Sequence, residues 1–317
     1  MSTATSSTPP LGKYLASTDK KTRDKAIKNL SVFLSDSTRD VISKPDMDKL
    51  WKGIFYCFWM SDKPLVQQAL ASELAEIVLT ITSFPSSLFF LRGFWETTVR
   101  EWNGIDRLRI DKYYMLVRRF VNATFRLLIR TEWDQTSCDE YNNILVKEGG
   151  PLCPTDIKVP ASLVYHLSDI YVEELDKVMG RADSSTPHPL PAPLGTLLDP
   201  FIMFSARTPS SVTYERINSA LFEPLLSALS PPSSKDQSPS AKRIKLDTDP
   251  ATFPHLLKNA CFKNPKLEGN VAGVELNKNL LRRVFEVASR LETRDSNRRK
   301  MYALWKEGID DKDAHDE

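Results

Sequence analysis

Through the first half of the chain apolar side chains return every third or fourth position almost throughout, and several of these stretches are joined by very short breaks. A chain patterned this way is confined to packed helices. Ser17, Thr18 and Asp19 offer caps to a first helix whose apolar stripe is Ala26, Ile27, Leu30, Phe33 and Leu34. Pro45 and Asp46 open a second, with Leu50, Trp51, Ile54, Phe55, Phe58 and Trp59 on a wide aromatic face that ends at residues 61–64. Pro64 fits the first turn of a third helix, where its missing N–H would have no intrahelical partner; Ala69, Leu70, Leu74, Ile77, Val78 and Ile81 follow. Phe84 and Pro85 stop it, and Leu88, Leu91, Trp95 and Val99 mark the next. The spacing predicts the longest helix over residues 105–132, with Tyr113, Leu116, Val117, Phe120, Thr124, Leu127 and Leu128 inward. Helices of this length joined by short turns are expected to pack antiparallel to their neighbours.

Further along, Tyr141, Ile144 and Leu145 mark a shorter helix, and Ala161 to Met179 a longer one that Gly180 is placed to cap. Residues 186–193 hold too much proline for regular structure and read as an extended strap. Two or three helices are expected between Thr196 and Leu229. Residues 253–262 and 274–291 look helical, as does a terminal stretch through Met301, Leu304 and Trp305. The fold class is therefore all-α: an antiparallel helical stack, HEAT-like or an irregular α-solenoid. The expected organisation is a disordered start (1–10), a helical domain (11–229), a proline-rich flexible linker (230–250), C-terminal helices (251–308) and an acidic tail (309–317).

Composition narrows the chemistry. Lys plus Arg is 43 against 41 for Asp plus Glu, a formal net charge of +2, so global electrostatics names no partner. No run approaches the ~18–20 apolar residues of a membrane helix, and the Ser/Thr/Pro-rich start has no apolar core of a secretory signal, which reads as a soluble intracellular protein. Cys57, Cys138, Cys153 and Cys261 are too scattered for a metal knuckle and read as structural thiols. The histidines are only His166, His188, His255 and His315, and none of the phosphate-loop, dinucleotide, serine-hydrolase or zinc-protease motifs occurs. No catalytic residue, metal ligand or cofactor is assigned. The aromatic group Trp51, Phe55, Tyr56, Phe58 and Trp59 has the spacing of a core rather than of a base-stacking platform. Asp62, Asp106 and Asp111 read as helix caps and ion-pair partners.

Three segments remain. Lys242, Arg243 and Lys245, in a proline-flanked stretch, form the basic core that a nuclear import receptor takes up as an extended strand. The adjacent Ser230-Pro231 and Ser238-Pro239 are candidate phosphorylation sites. From Arg107 to Arg130 the longest helix carries Arg107, Arg109, Lys112, Arg118, Arg119, Arg126 and Arg130 against Asp111 alone. At ~100° per residue, Lys112, Arg119, Arg126 and Arg130 fall within about 40° of one another. They form a stripe suited to following phosphates, or to pairing with acids on neighbouring helices. Lys278, Arg282, Arg283, Arg290, Arg294, Arg298, Arg299 and Lys300 present the same two readings, since the acidic tail could fold back on them.

Residues 51–67 (WKGIFYCFWMSDKPLVQ) and 104–119 (GIDRLRIDKYYMLVRR) give the chain a family resemblance, supported by Tyr14-Leu15-Ala16-Ser17, Arg23-Asp24-Lys25, Val159-Pro160 and Asp169-Ile170-Tyr171. Over residues 11–180, and more loosely to 229, it resembles the nucleolar ribosomal RNA processing protein 1 family. The resemblance implies an all-helical nucleolar assembly factor for the large ribosomal subunit. Such a protein is needed for precursor RNA processing without being the nuclease, and its partners are other large-subunit assembly factors and precursor ribosomal RNA within the pre-ribosome. It assigns no base-reading residues. Larger animal relatives carry long basic extensions beyond the last helix, and functions housed there do not carry over. A protein-binding nuclear adaptor without RNA contact, and a metal-dependent nuclear ribonuclease, are the competing readings.

Overall fold

A computed structural model of the chain describes residues 14–36 apart from 16 and 18, 42–181, 189–230 and 252–313. The start 1–10, Lys242, Arg243 and Lys245, Ser238-Pro239, His188 and His315 lie outside the described residues. The helices are α1 (Lys20–Ser35), α2 (Lys44–Trp59), α3 (Pro64–Thr80), α4 (Phe84–Glu101), α5 (Ile110–Arg130), α6 (Gln135–Val146) and α7 (Ala161–Met179). They continue with α8 (Leu194–Arg207), α9 (Ser211–Ile217), α10 (Glu223–Leu229), α11 (Pro265–Glu268), α12 (Gly273–Ala288) and α13 (Asp295–Asp313). Local chemistry sets the starts: the Asp19 carboxylate accepts from Thr22 N–H, Ser43 Oγ from Asp46 N–H and the Asp134 carboxylate from Ser137 N–H. Prolines occupy the first turns of α2, α3 and α4.

The expected all-α stack is what the chain forms. Much of its packing joins next-but-one helices, α3 with α5 and α5 with α7 in one row, α2 with α4 and α6 with α8 in the other; α12 also packs on α8, and α12 and α13 pair as a hairpin. Short turns thus send consecutive helices into opposite rows, the architecture of a two-layered solenoid. One hydrophobic cluster runs from Leu15 to Met301. Its densest part is aromatic: Phe94 and Phe120 stack at 3.8 Å between ring centroids, and Trp51 lies 4.5 Å from Phe90. The Trp51 indole N–H donates to the Phe90 carbonyl at 2.9 Å. Gly93 makes this approach possible, since a Cβ there would sit 2.2 Å from Trp51 Cδ1. All four cysteines are free and buried.

Three expectations are corrected. The longest helix spans Ile110–Arg130 rather than 105–132. A 3-10 turn at Trp102–Gly104 and a turn on Asp106, which accepts from the N–H groups of Leu108 and Arg109, precede it. Residues 253–262 are a turn, the 3-10 segment Leu256–Lys258 and a short strand, β2 (Ala260–Cys261). The buried Asp176 carboxylate captures the N–H groups of His255 and Leu256, and β2 pairs in parallel with β1 (Ala192–Pro193). The described part of the strap is thereby fastened: the Leu190 carbonyl accepts from Trp133 Nε1 and the Pro189 carbonyl from Asn259 Nδ2. Gly180 does end α7, but at φ −81°, without the left-handed conformation of a glycine cap. Its small size serves His255, whose ring would lie 2.5 Å from a Cβ. The expected helix over 274–291 is Gly273–Ala288, and it packs on α8 and α10. There the buried Asn277 amide donates to Leu226 O at 2.9 Å and Ser230 Oγ at 3.0 Å.

Candidate functional site

Helix α5 lies between α3 and α7, and the packing decides what its cations face. Lys112 is only 5% exposed. Its ammonium donates to the carbonyls of Trp59 (2.7 Å) and Ser61 (2.8 Å), clipping the end of α2 to the start of α5. Burial pushes its pKa down to about 8. Arg126 forms an ion pair with Glu76 of α3, and Arg130 donates to the Leu79 carbonyl. Three members of the stripe are thus engaged by the α2–α3 edge. On the α7 side, Arg118 reaches Glu173 at 2.7 Å and Glu174 at 2.8 Å. Burial pushes the Glu174 carboxyl up, but hydrogen bonds from Lys177, Arg118 and Asn122 outweigh it and hold the group below the ordinary carboxylate range. Arg109 bonds Asp106 and lies 5.0 Å over the Trp59 ring. Arg107 and Arg119 are exposed, and their side chains meet no partner among the described residues.

The C-terminal basic group divides differently. Arg283 pairs with Asp199 and Lys300 with Glu215 and Ser211 Oγ, while Arg282 leans on Asn279 and Glu286. Arg298 frames the turn between α12 and α13, donating to the carbonyls of Ala288 (3.0 Å), Arg290 (3.0 Å) and Thr293 (3.1 Å) and to Asp295 (2.9 Å). Lys278, Arg294 and Arg299 are exposed without a side-chain partner among the described residues, and Arg290 meets only the Met203 sulfur at 3.5 Å. Sequence reading missed Arg207, the last residue of α8. It is brought beside Arg294 because the Arg294 N–H donates to the Ala206 carbonyl. No linear signal joins residues so far apart. The side chains of residues 309–317, on which the acidic fold-back depends, lie outside the described residues.

The remaining polar groups serve the fold. Trp51, Phe55 and Phe58 are core, Trp59 is partly buried and Tyr56 is 41% exposed. Asp106 caps its turn as read, and Asp111 lies in the first turn of α5. His166 Nε2 lies 2.9 Å from the Tyr114 carbonyl, and burial lowers its pKa. Burial raises the thiols of Cys57 to about 11 and of Cys138 and Cys261 to about 12, far from thiolate chemistry. Among the described residues no three of His, Cys, Asp and Glu gather as a metal site. None of their helices is long and apolar enough to cross a membrane.

Comparison with known proteins extends the likeness over nearly all of this architecture. The family described as "Nucleolar protein, Nop52" matches residues 6–304, from ahead of α1 into α13. Human "Ribosomal RNA processing protein 1 homolog B" is 36% identical over 218 residues, covering 67% of this chain and 27% of the relative. Human homolog A is 32% identical over 219 residues, covering 68% and 46%. The Dictyostelium discoideum homolog is 26% identical over 271 residues, covering 81% and 50%. The matched region therefore spans between about a quarter and half of these relatives' length. The α12–α13 hairpin falls mostly within the family match, beyond the reach of the motifs on α2, α3 and α5. With a match of this extent, the chain belongs to the Nop52 family of nucleolar proteins.

Proposed function

We propose that this protein is a non-catalytic assembly factor of the large ribosomal subunit, a helical scaffold that holds other assembly factors and precursor ribosomal RNA in early pre-ribosomes. The observation that carries the reading is the family match over 6–304 together with relatives named as ribosomal RNA processing proteins. The architecture suits it: a two-row solenoid offers long edges and turns to several partners at once. Such a protein supports processing by holding RNA in the geometry a separate nuclease needs. Entry into the nucleus is assigned to Lys242, Arg243 and Lys245 through an import receptor. Candidate contacts on α5 are Arg107, Arg109, Lys112, Arg118, Arg119, Arg126 and Arg130. Among them Arg107 and Arg119 are the ones free to reach a partner without breaking an internal contact.

The test is purification of particles on the tagged full chain. Recovery of large-subunit precursor RNA with assembly factors, and no cleavage of that RNA by the purified protein with Mg²⁺ or Mn²⁺, is the expected result. Cleavage abolished by changing one specific carboxylate would make it a ribonuclease. A reporter carrying residues 230–250 should enter nuclei and lose that ability when Lys242, Arg243 and Lys245 become Ala. A second reading, an adaptor that touches only proteins, draws on the internal engagement of most α5 cations. Crosslinks from this chain to proteins but none to RNA within the particle would establish it.

A further inference from the structure

We infer that the corner formed by the end of α8 and the turn between α12 and α13 is a binding surface for the phosphate backbone of RNA; the inference rests on the RNA-contact part of the proposed function. The inward side of this corner is fully committed to structure. Asn297, 2% exposed, donates through one amide to the carbonyls of Ser205 (3.0 Å) and Thr208 (2.8 Å) and, at 3.4 Å, to that of Ala206. The Arg294 N–H also takes the Ala206 carbonyl, and Arg298 ties three carbonyls of the turn. These bonds clamp the turn to the C-terminal end of α8 and satisfy carbonyls whose negative pole would otherwise repel an anion. What remains exposed is cationic, Arg290, Arg294 and Arg299, and the partly buried Arg207 directly follows Ala206, whose carbonyl accepts from the Arg294 N–H. Of the two acids in the same stretch, Asp295 is held by Arg298, leaving Glu292.

Charge complementarity selects the occupant. Arginines on a pre-ordered frame present planar donor forks that match phosphate oxygens in pairs, and little ordering entropy opposes their use. The only bulky apolar side chain protruding from the turn is Leu291 at its tip, so no apolar groove is offered to a protein helix. An acidic peptide is the competing occupant and an arm of the test.

The experiment uses the purified full chain, a fluorescent hairpin RNA of large-subunit precursor sequence and a poly-glutamate peptide as competing polyanion. The variant Arg290→Glu/Arg294→Glu/Arg299→Glu should bind the RNA at least tenfold more weakly, with unchanged helicity and melting. Its salt slope should flatten by about 0.7–0.9 for each phosphate that the variant no longer neutralises. The triple Arg-to-Lys variant should keep most of the slope, and Lys28→Glu/Lys52→Glu, at exposed cations of α1 and α2, should weaken binding less than threefold. Should the triple Glu variant unfold, single Arg294→Gln and Arg299→Gln changes must each lower affinity two- to fivefold. Unaltered RNA binding by the corner variants, an equal weakening from the α1–α2 control variant, or corner-dependent binding of poly-glutamate in preference to RNA would each overturn the assignment. These outcomes concern the corner alone. Failure of the tagged wild-type chain to recover pre-ribosomes would instead overturn the proposed function.

Discussion

The two basic regions are similar in sequence and opposite in disposition. Helix α5 sits in the middle of a row, flanked by α3 and α7, and neighbouring carbonyls and carboxylates take up Lys112, Arg118, Arg126 and Arg130. The α12–α13 turn joins the last described helical pair, and among the described residues its Arg290, Arg294 and Arg299 are exposed. Position in the stack, rather than cation density, decides whether a basic stretch is a strut or a surface.

The largest test of this contrast is Lys112→Met. It withdraws a buried donor from the Trp59 and Ser61 carbonyls and should lower unfolding free energy by about 2–3 kcal/mol. Arg294→Ala should stay within about 0.5 kcal/mol. Urea unfolding of the two side by side decides the matter, and equal stabilities would erase the distinction. Next in size is Arg298→Ala, which frees three carbonyls of the turn and should cost about 1–2 kcal/mol. RNA affinity should fall with it although no outward arginine has changed; unchanged affinity would mean that the frame does not matter.

Smaller again is Arg126→Glu, which puts two acids together with Glu76 at a partly exposed site. A drop of about 0.5–1 kcal/mol is expected, largely recovered when Glu76→Arg is added. A double-mutant cycle with no coupling would remove Arg126 from the struts. The finest test is pH. Lys112 titrates near 8 in the fold and near 10.4 when unfolded, so in that window the unfolded chain binds the extra proton. Stability should rise with pH from about 8 to about 10.4 and be flat with respect to this group below 8. The Lys112→Met variant should lack the rise.

Features local along the chain were legible in the sequence. The periodicity placed Tyr113, Val117, Phe120 and Leu128 in the core, and Asp19 and Pro64 at helix starts, because each depends on residues three or four away. What depended on distant partners was not. Leu256 and Leu257 read as part of a helix, yet Asp176 and the pairing of Ala260 with Ala192 impose a turn and a strand. Gly180 carried the signal of a cap dihedral, while its actual constraint is the ring of His255. The α5 stripe was read from one helix alone, whereas the groups that engage Arg126 and Arg130, Glu76 and the Leu79 carbonyl, come from another. Arg207 and Arg294 become neighbours only once α8 and α13 have docked.

Asn277 and the α10–α12 packing give the segment between residues 230 and 252 a further significance. Both of its ends are anchored in one core, Leu225 and Leu229 on one side and Leu276, Leu280 and Val284 on the other. A single protease cut in that segment would leave two fragments held together by this interface. It would also turn a unimolecular fold into a bimolecular one, its stability now set by concentration and its halves open to exchange between molecules.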